Sequence, residues 1–291
     1  MTATAPTVVG VDGSSTALDA VRWAAYDAKL HHSQLILVSS MCPPANALPP
    51  TGYYDALQEE SERALAEASA VALHTDESPG LQLSTKVTPE PPIPALLEMS
   101  KSARMVVVGN RGIGRINRSL LGSVSSALAS HTRCPLTVVR AWSANDSAGR
   151  RNVVVGTDGS AASLSALEMA FEQASGRGVD LTAVHAWADG DFTLMQSNQG
   201  LEPWGWSDVH SEADRVLAHS LENLREKYPH VRVRPVVVRD RPAHALLDHA
   251  QAAQLVVVGT HGRGGFVGML LGSVSRKVIL GATCPVMIVP R

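Results

Sequence analysis

Short, uninterrupted apolar runs recur along this chain, and each is separated from the next by an amphipathic stretch. The run at 7–11, TVVGV, is too short for a helix and lacks polar alternation, which is the pattern of a strand covered on both faces. Ser14 or Ser15 then offers a cap for a helix reaching about residue 31, with Ala17, Ala20, Val21, Ala24 and Ala25 on one face. The same logic predicts a strand at 35–39, a helix at 54–73 after a proline-rich loop, and a strand at 81–87. Pro92 stands where the next helix begins, followed by a strand at 105–109, a helix at 122–131 and a strand at 136–140. Alternating β and α elements with wholly apolar strands predict an α/β, doubly wound parallel sheet flanked by helices.

The whole pattern then repeats. VVGVDGS near the N-terminus returns as VVVGTDGS, VVVGNRG as VVVGTHG, and LGSVS appears twice. The offset is 146 residues from Asp12 to Asp158 and 150 from Gly109 to Gly259, a difference that loop-length variation explains. Pro92 and Pro242 open matching helices. The expected organisation is a first domain over 1–143, a polar linker at 144–150 and a second domain over 151–291.

Each copy carries G-x2-G-x9-G-S: Gly109, Gly112, Gly122 and Ser123 in the first, and Gly259, Gly262, Gly272 and Ser273 in the second. One chance match in such a chain has a probability on the order of 1%, so two in register are not accidental. Gly109 and Gly259 end a strand, where a missing side chain would let a ligand approach the backbone. Gly112 and Gly262 are expected to take the positive φ of a sharp turn. Gly122-Ser123 and Gly272-Ser273 open a helix, whose free N–H groups and dipole suit a phosphate. Arg111, Arg115 and Arg118 in the first copy, and His261 and Arg263 in the second, are cations that could meet a triphosphate. Asp12 and Asp158 follow the first strands of the two copies. A carboxylate near phosphates needs an intervening partner, so each can hold either a ribose hydroxyl or a Mg²⁺.

Composition narrows the class without naming a ligand. The chain has 291 residues, a net charge of −2 and 45% hydrophobic residues, so a broad basic face for nucleic acid or anionic membrane is not expected. No apolar run approaches the roughly 20 residues of a membrane helix. The N-terminus reads as lacking a signal peptide, and three scattered cysteines suit a reducing cytoplasm better than a disulfide framework or zinc site. The histidines form no H-E-x-x-H cluster, and no metal site is expected from them. Cys134 and Cys284, each before a proline, read as core positions rather than redox groups. Trp204 and Trp206, in the loop before the long helix of the second copy, could cover a ligand or simply pack.

These motifs resemble the universal stress protein family in its tandem form, over nearly the whole chain and with the actinobacterial members in particular. The resemblance implies the family's ATP-binding branch and a five-stranded sheet of order 3-2-1-4-5 in each domain. It also implies domain pairing through the last strands. By the same resemblance, phosphate contacts fall on Gly112, Gly122, Ser123, Val124 and Ser125, and on Gly262, Gly272, Ser273, Val274 and Ser275. The adenine contact falls near Ser40 and Ala186. Family members of this kind tend to act in stress, hypoxia or growth arrest. Two departures stand out: Asn110 matches Thr260, and the two nine-residue flaps differ.

The expected function is an ATP-binding regulatory protein, with or without Mg²⁺, whose two sites shift conformation or partner binding. The partner would be a second copy of the chain or a regulatory protein. The alternative is a slow ATPase or a nucleotide-dependent phosphotransfer protein. No Walker A lysine motif and no marked base for water activation favour it.

Overall fold

The computed structural model describes residues 4–42, 52–74, 80–112, 121–140, 142, 151–187, 206–262 and 271–290. They separate into two compact units, Met1–Gly149 and Arg150–Arg291. In the first unit the chain runs β1 (Thr7–Gly10), α1 (Ser15–Leu30), β2 (Leu35–Ser40), α2 (Tyr53–His74) and β3 (Leu83–Thr88). It continues through α3 (Pro92–Met99), β4 (Met105–Gly109), α4 (Ser123–His131) and β5 (Leu136–Val139). All strands are parallel, in the order β3-β2-β1-β4-β5.

The burial explains that order. Met105 to Val108 of β4 are consecutively buried, as are all four residues of β5, so helices cover both faces. Helix α1 packs beside α2, and α3 beside α4. The edge strand β3 instead exposes Thr85 and Lys86, and a lysine on an edge discourages pairing with a foreign strand. Ser14 caps α1, its hydroxyl accepting from the Ala17 N–H at 3.2 Å. Trp142, at the end of this unit, is buried and packs its ring 5.7 Å from that of Tyr26.

The second unit repeats the plan: β6 (Asn152–Gly156), α5 (Ala161–Arg177), β7 (Leu181–Trp187), α6 (Trp206–Lys227) and β8 (Val233–Arg239). Then follow α7 (Pro242–Ala250), β9 (Ala253–Gly259), α8 (Ser273–Gly281) and β10 (Val286–Val289), with parallel order β8-β7-β6-β9-β10. Pro235 is tolerated because β8 is an edge strand. The duplicated sequence therefore gives a duplicated doubly wound fold. No helix among the described residues is long and apolar enough to cross a membrane.

The candidate functional site

In the first unit the strand order reverses between β1 and β4, and there a cleft of about 420 Å³ opens at the carboxyl ends of the strands. That volume lies within the range of small-molecule sites. Asp12, Ser40, Gly109, Gly112, Gly122, Ser123, Val124 and Ser125 all line it. Helix α2 adds a wall through Leu57, Glu60 and Ser61, and α3 another through Ala95 and Leu96.

The turn after β1 is built around Asp12. Gly13 has φ 79°, the left-handed conformation that a side chain resists. This turn lets Asp12 Oδ1 accept from the Ser14 N–H at 3.0 Å and the Ser14 hydroxyl at 2.6 Å. The other oxygen, Oδ2, faces Gly112, where a Cβ would collide with it. Gly112 does not have positive φ, contrary to expectation, and neither does Gly262. Bareness at these positions is required by the approach of a carboxylate, not by the turn. Gly109 differs from expectation similarly: a Cβ there would lie 2.7 Å from Thr16 Oγ1, so the first turn of α1 occupies the space assigned to a ligand.

The glycine loop closes on itself through the backbone. The Gly122 N–H donates to the Asn110 carbonyl at 2.9 Å, returning the chain to the end of β4. The Ser125 hydroxyl donates to the Gly122 and Asn110 carbonyls at 3.1 and 3.3 Å, so it is turned inward as a pin. Gly122 is the N-cap of α4 and supplies no side-chain cap. The leading N–H groups of α4 thus face the cleft without the serine cap that closes α1. A positively polarised, uncapped helix start favours an anion.

The second unit reproduces this geometry. Gly159 has φ 76°, and Asp158 Oδ1 accepts from the Ser160 N–H at 2.9 Å. A Cβ on Gly262 would strike Asp158 Oδ2, and one on Gly259 would lie 2.8 Å from the Ala162 carbonyl. The Gly272 N–H donates to the Thr260 carbonyl at 2.7 Å, and α8 begins without a side-chain cap. The Ser275 hydroxyl donates to the Gly259 carbonyl at 2.6 Å. Ser273 and Val274 open α8 as Ser123 and Val124 open α4. Exchange of Asn110 for Thr260 is tolerated because both use main-chain groups to close the loop.

Strand register relates Ser40 to Ala186. Gly10 pairs with Val38 and Gly156 with Val184, and each named residue lies two positions further on. Ser40 donates its hydroxyl to the Glu90 carbonyl at 2.7 Å. Beside Ala186, His185 is buried and its Nδ1 lies 2.9 Å from the Thr157 carbonyl. Sequence reasoning missed Gly13, Ser14 and their counterparts Gly159 and Ser160 as parts of the site. The repeated D-G-S held the signal. Glu60 and Leu57 carried none, because α2 reaches the cleft only through the fold. Arg115, Arg118, Arg263, Trp204 and the linker 144–150 lie outside the described residues, and Trp206 begins α6.

Two other groups have their own chemistry. Burial pushes the Cys284 thiol up to about 11 and raises that of Cys134, so neither is a reactive thiolate near neutrality. Asp240, His244 and Asp248 form the one three-residue group of candidate metal donors among the described residues. Its geometry is that of an ion-paired cluster spanning the start of α7, with His244 Nδ1 2.6 Å from Asp240 Oδ2 and 3.6 Å from Asp248 Oδ2. The hydrogen bond to Asp240 raises the imidazole pKa, and the charges of Asp240 and then Asp248 add to it. The same bond lowers the Asp240 pKa. His244 is therefore expected to titrate by NMR above its ordinary value of 6.5, with D240N returning the midpoint towards that value. A midpoint at or below it would contradict the pairing.

Known proteins share this organisation. A family model described as the universal stress protein family matches residues 5–140 and again 149–290. A universal stress protein of Mycolicibacterium smegmatis is 44% identical over 290 residues, spanning 97% of this chain and 96% of its own length. Another, of Mycobacterium tuberculosis, is 41% identical over 300 residues, spanning 97% and 93%. The crystal structure of a universal stress protein from Archaeoglobus fulgidus matches 98% of both chains with a TM-score of 0.73 at 21% identity, a likeness of fold.

Proposed function

The chain belongs to the universal stress protein family and shares its stress-response role, and from that premise we propose that it is a regulatory protein binding one ATP in each unit. Residues 1–143 and 151–291 are read as the two binding domains, joined by 144–150. The observation that carries the proposal is the uncapped helix start, present at both α4 and α8, beside an aspartate held by its own D-G-S turn. A triphosphate is the ligand that uses both parts. Its anionic groups suit the N–H groups of Ser123, Val124 and Ser125, and of their counterparts Ser273, Val274 and Ser275. Bare Cα positions at Gly112 and Gly122 let the loop close against Asp12 and Asn110, which sets those N–H groups at the cleft. Asp12 and Asp158 would take a ribose hydroxyl or a Mg²⁺, and the ends of β2 and β7 near Ser40 and Ala186 would flank the base.

Regulation is favoured over turnover. The sequence marks no base that would position water, and binding alone can shift a conformational or partner equilibrium. Denaturing the purified protein and weighing the released small molecules is expected to yield an adenine nucleotide. Calorimetry of stripped protein is expected to show two ATP per chain, with turnover far below the roughly 1–10³ s⁻¹ of ordinary enzymes. Nucleotide-free protein that gives no heat with ATP and Mg²⁺ would sink the proposal. Fast hydrolysis abolished by D12A and D158A would replace it with an enzyme.

A further inference from the structure

The two sites share a loop but not their charges. In the first unit Asn110 is tied to the end of β5, its N–H donating to the Val139 carbonyl at 2.8 Å. Gly109 pairs with Val139, so the next residues of both strands emerge side by side at the carboxyl edge of the sheet. Arg140 follows β5, and Arg111 follows Asn110. Arg111 lines the cleft between Gly109 and Gly112, and its carbonyl accepts the Thr16 hydroxyl at 2.5 Å, which fixes its main chain against α1. Both guanidinium groups bury their Nε atoms.

In the second unit the strands run in the same register, with Gly259 paired with Val289 and the Thr260 N–H donating to the Val289 carbonyl at 3.1 Å. The positions of Arg111 and Arg140, however, are held by His261 and Pro290. Ala162 replaces Thr16, so the hydroxyl bridge from the first helix to the loop is also lost. Among the described residues, one unit thus presents two permanent cations at this edge and the other a single imidazole, charged only when protonated.

We infer that Arg111 and Arg140 form a subsite for the terminal phosphates of a nucleotide in the first unit, making that site select by ligand charge where the second does not. The inference rests on the nucleotide-binding reading above. Its chemistry is that of paired guanidinium groups, which offer fixed forks of donors to phosphate oxygens. Two like charges at one edge raise the local potential, and an arriving polyanion relieves their repulsion. The electrostatics agree: burial lowers the Arg140 pKa first, and the neighbouring Arg111 charge lowers it further. A monophosphate seated at the helix start lacks the additional anionic groups that would reach this pair. The first site should therefore separate ATP from AMP, while the second should treat them more alike.

The test is calorimetric titration of the full-length, nucleotide-stripped protein with ATP and with AMP at several salt concentrations. ATP is expected to bind in two steps, the tighter one weakening more steeply with salt. R111Q and R140Q are each expected to weaken the tighter ATP step by roughly tenfold or more, with AMP little changed, and R111K to restore part of the loss. The reverse exchange, H261R/P290R, should tighten ATP at the second site and keeps the test independent of any folding defect in the first unit. Equal ATP-to-AMP preference at both sites, or equal losses for both ligands in R111Q and R140Q, would overturn the inference while leaving nucleotide binding intact. Absence of binding by either nucleotide to the wild-type chain would overturn both.

Discussion

R104A is expected to destabilise the first unit by about 3–5 kcal/mol, because it removes the guanidinium from a buried carboxylate. Asp27 on α1 is fully buried, and Arg104 Nη1 lies 2.9 Å from its Oδ2. His31 closes the group at the end of α1, its Nδ1 lying 2.9 Å from the Asp27 carbonyl and 3.4 Å from Oδ2. Removing the guanidinium leaves a charge that the interior solvates poorly. The second unit carries Gln173 at the position of Asp27. At the corresponding positions Arg177 Nε donates to Gln173 Oε1 at 3.0 Å, and Nη1 donates to Gln254 Oε1 at 3.4 Å. A β-bulge before Val153 admits Gln254 into that network. The triple exchange D27Q/H31R/R104Q is therefore expected to recover much of the stability lost in R104A, since it installs the guanidinium-to-amide bonds of the second unit in place of a buried ion pair. Urea unfolding followed by a probe in each unit would measure both. A loss under about 1 kcal/mol in R104A would mean that the pair contributes no more than a surface contact.

G112A is expected to lower ATP affinity at the first site by about a hundredfold, the equivalent of one or two charge-assisted hydrogen bonds. The new methyl would collide with Oδ2 of the Asp12 carboxylate, whose Oδ1 accepts from the Ser14 hydroxyl. Either the aspartate turns away or the glycine loop lifts, and both outcomes misplace the groups facing the cleft. G262A should do the same at the second site alone, through Asp158. G122A should be milder, because its nearest neighbour is the Asn110 carbonyl at 3.3 Å, a contact that small shifts relieve. Titration with ATP measures stoichiometry and affinity together. Wild-type binding by the G112A/G262A double variant would remove these loops from the site.

Much of this architecture is legible in the pattern of the chain. Wholly apolar runs can only be strands buried on both faces, so Met105–Gly109 was readable residue for residue. Pro92 and Pro242 open α3 and α7 as their fixed φ predicts. Element ends were less legible. Gly122 reads as the first residue of a helix, yet it is the cap before it, because only tertiary closure to Asn110 fixes where α4 begins. The long-range partners had no local signal: nothing near Gly109 foretells Thr16, and nothing near Gly112 foretells Asp12.

The sequence by itself determined the duplication, the strand–helix alternation and the residue types at the two loops, because each is written in local periodicity or in exact repetition. The tertiary structure alone decided why those types are needed. Gly112 is bare for a carboxylate, Gly109 for a helix, and Ser125 is turned inward to hold the loop. It also decided that Arg111 and Arg140, 29 positions apart in the chain, emerge from neighbouring strands. The physical reason is the same throughout. Pattern reports how a residue sits on its own element, whereas close approach between elements depends on how strands order and pair across the sheet.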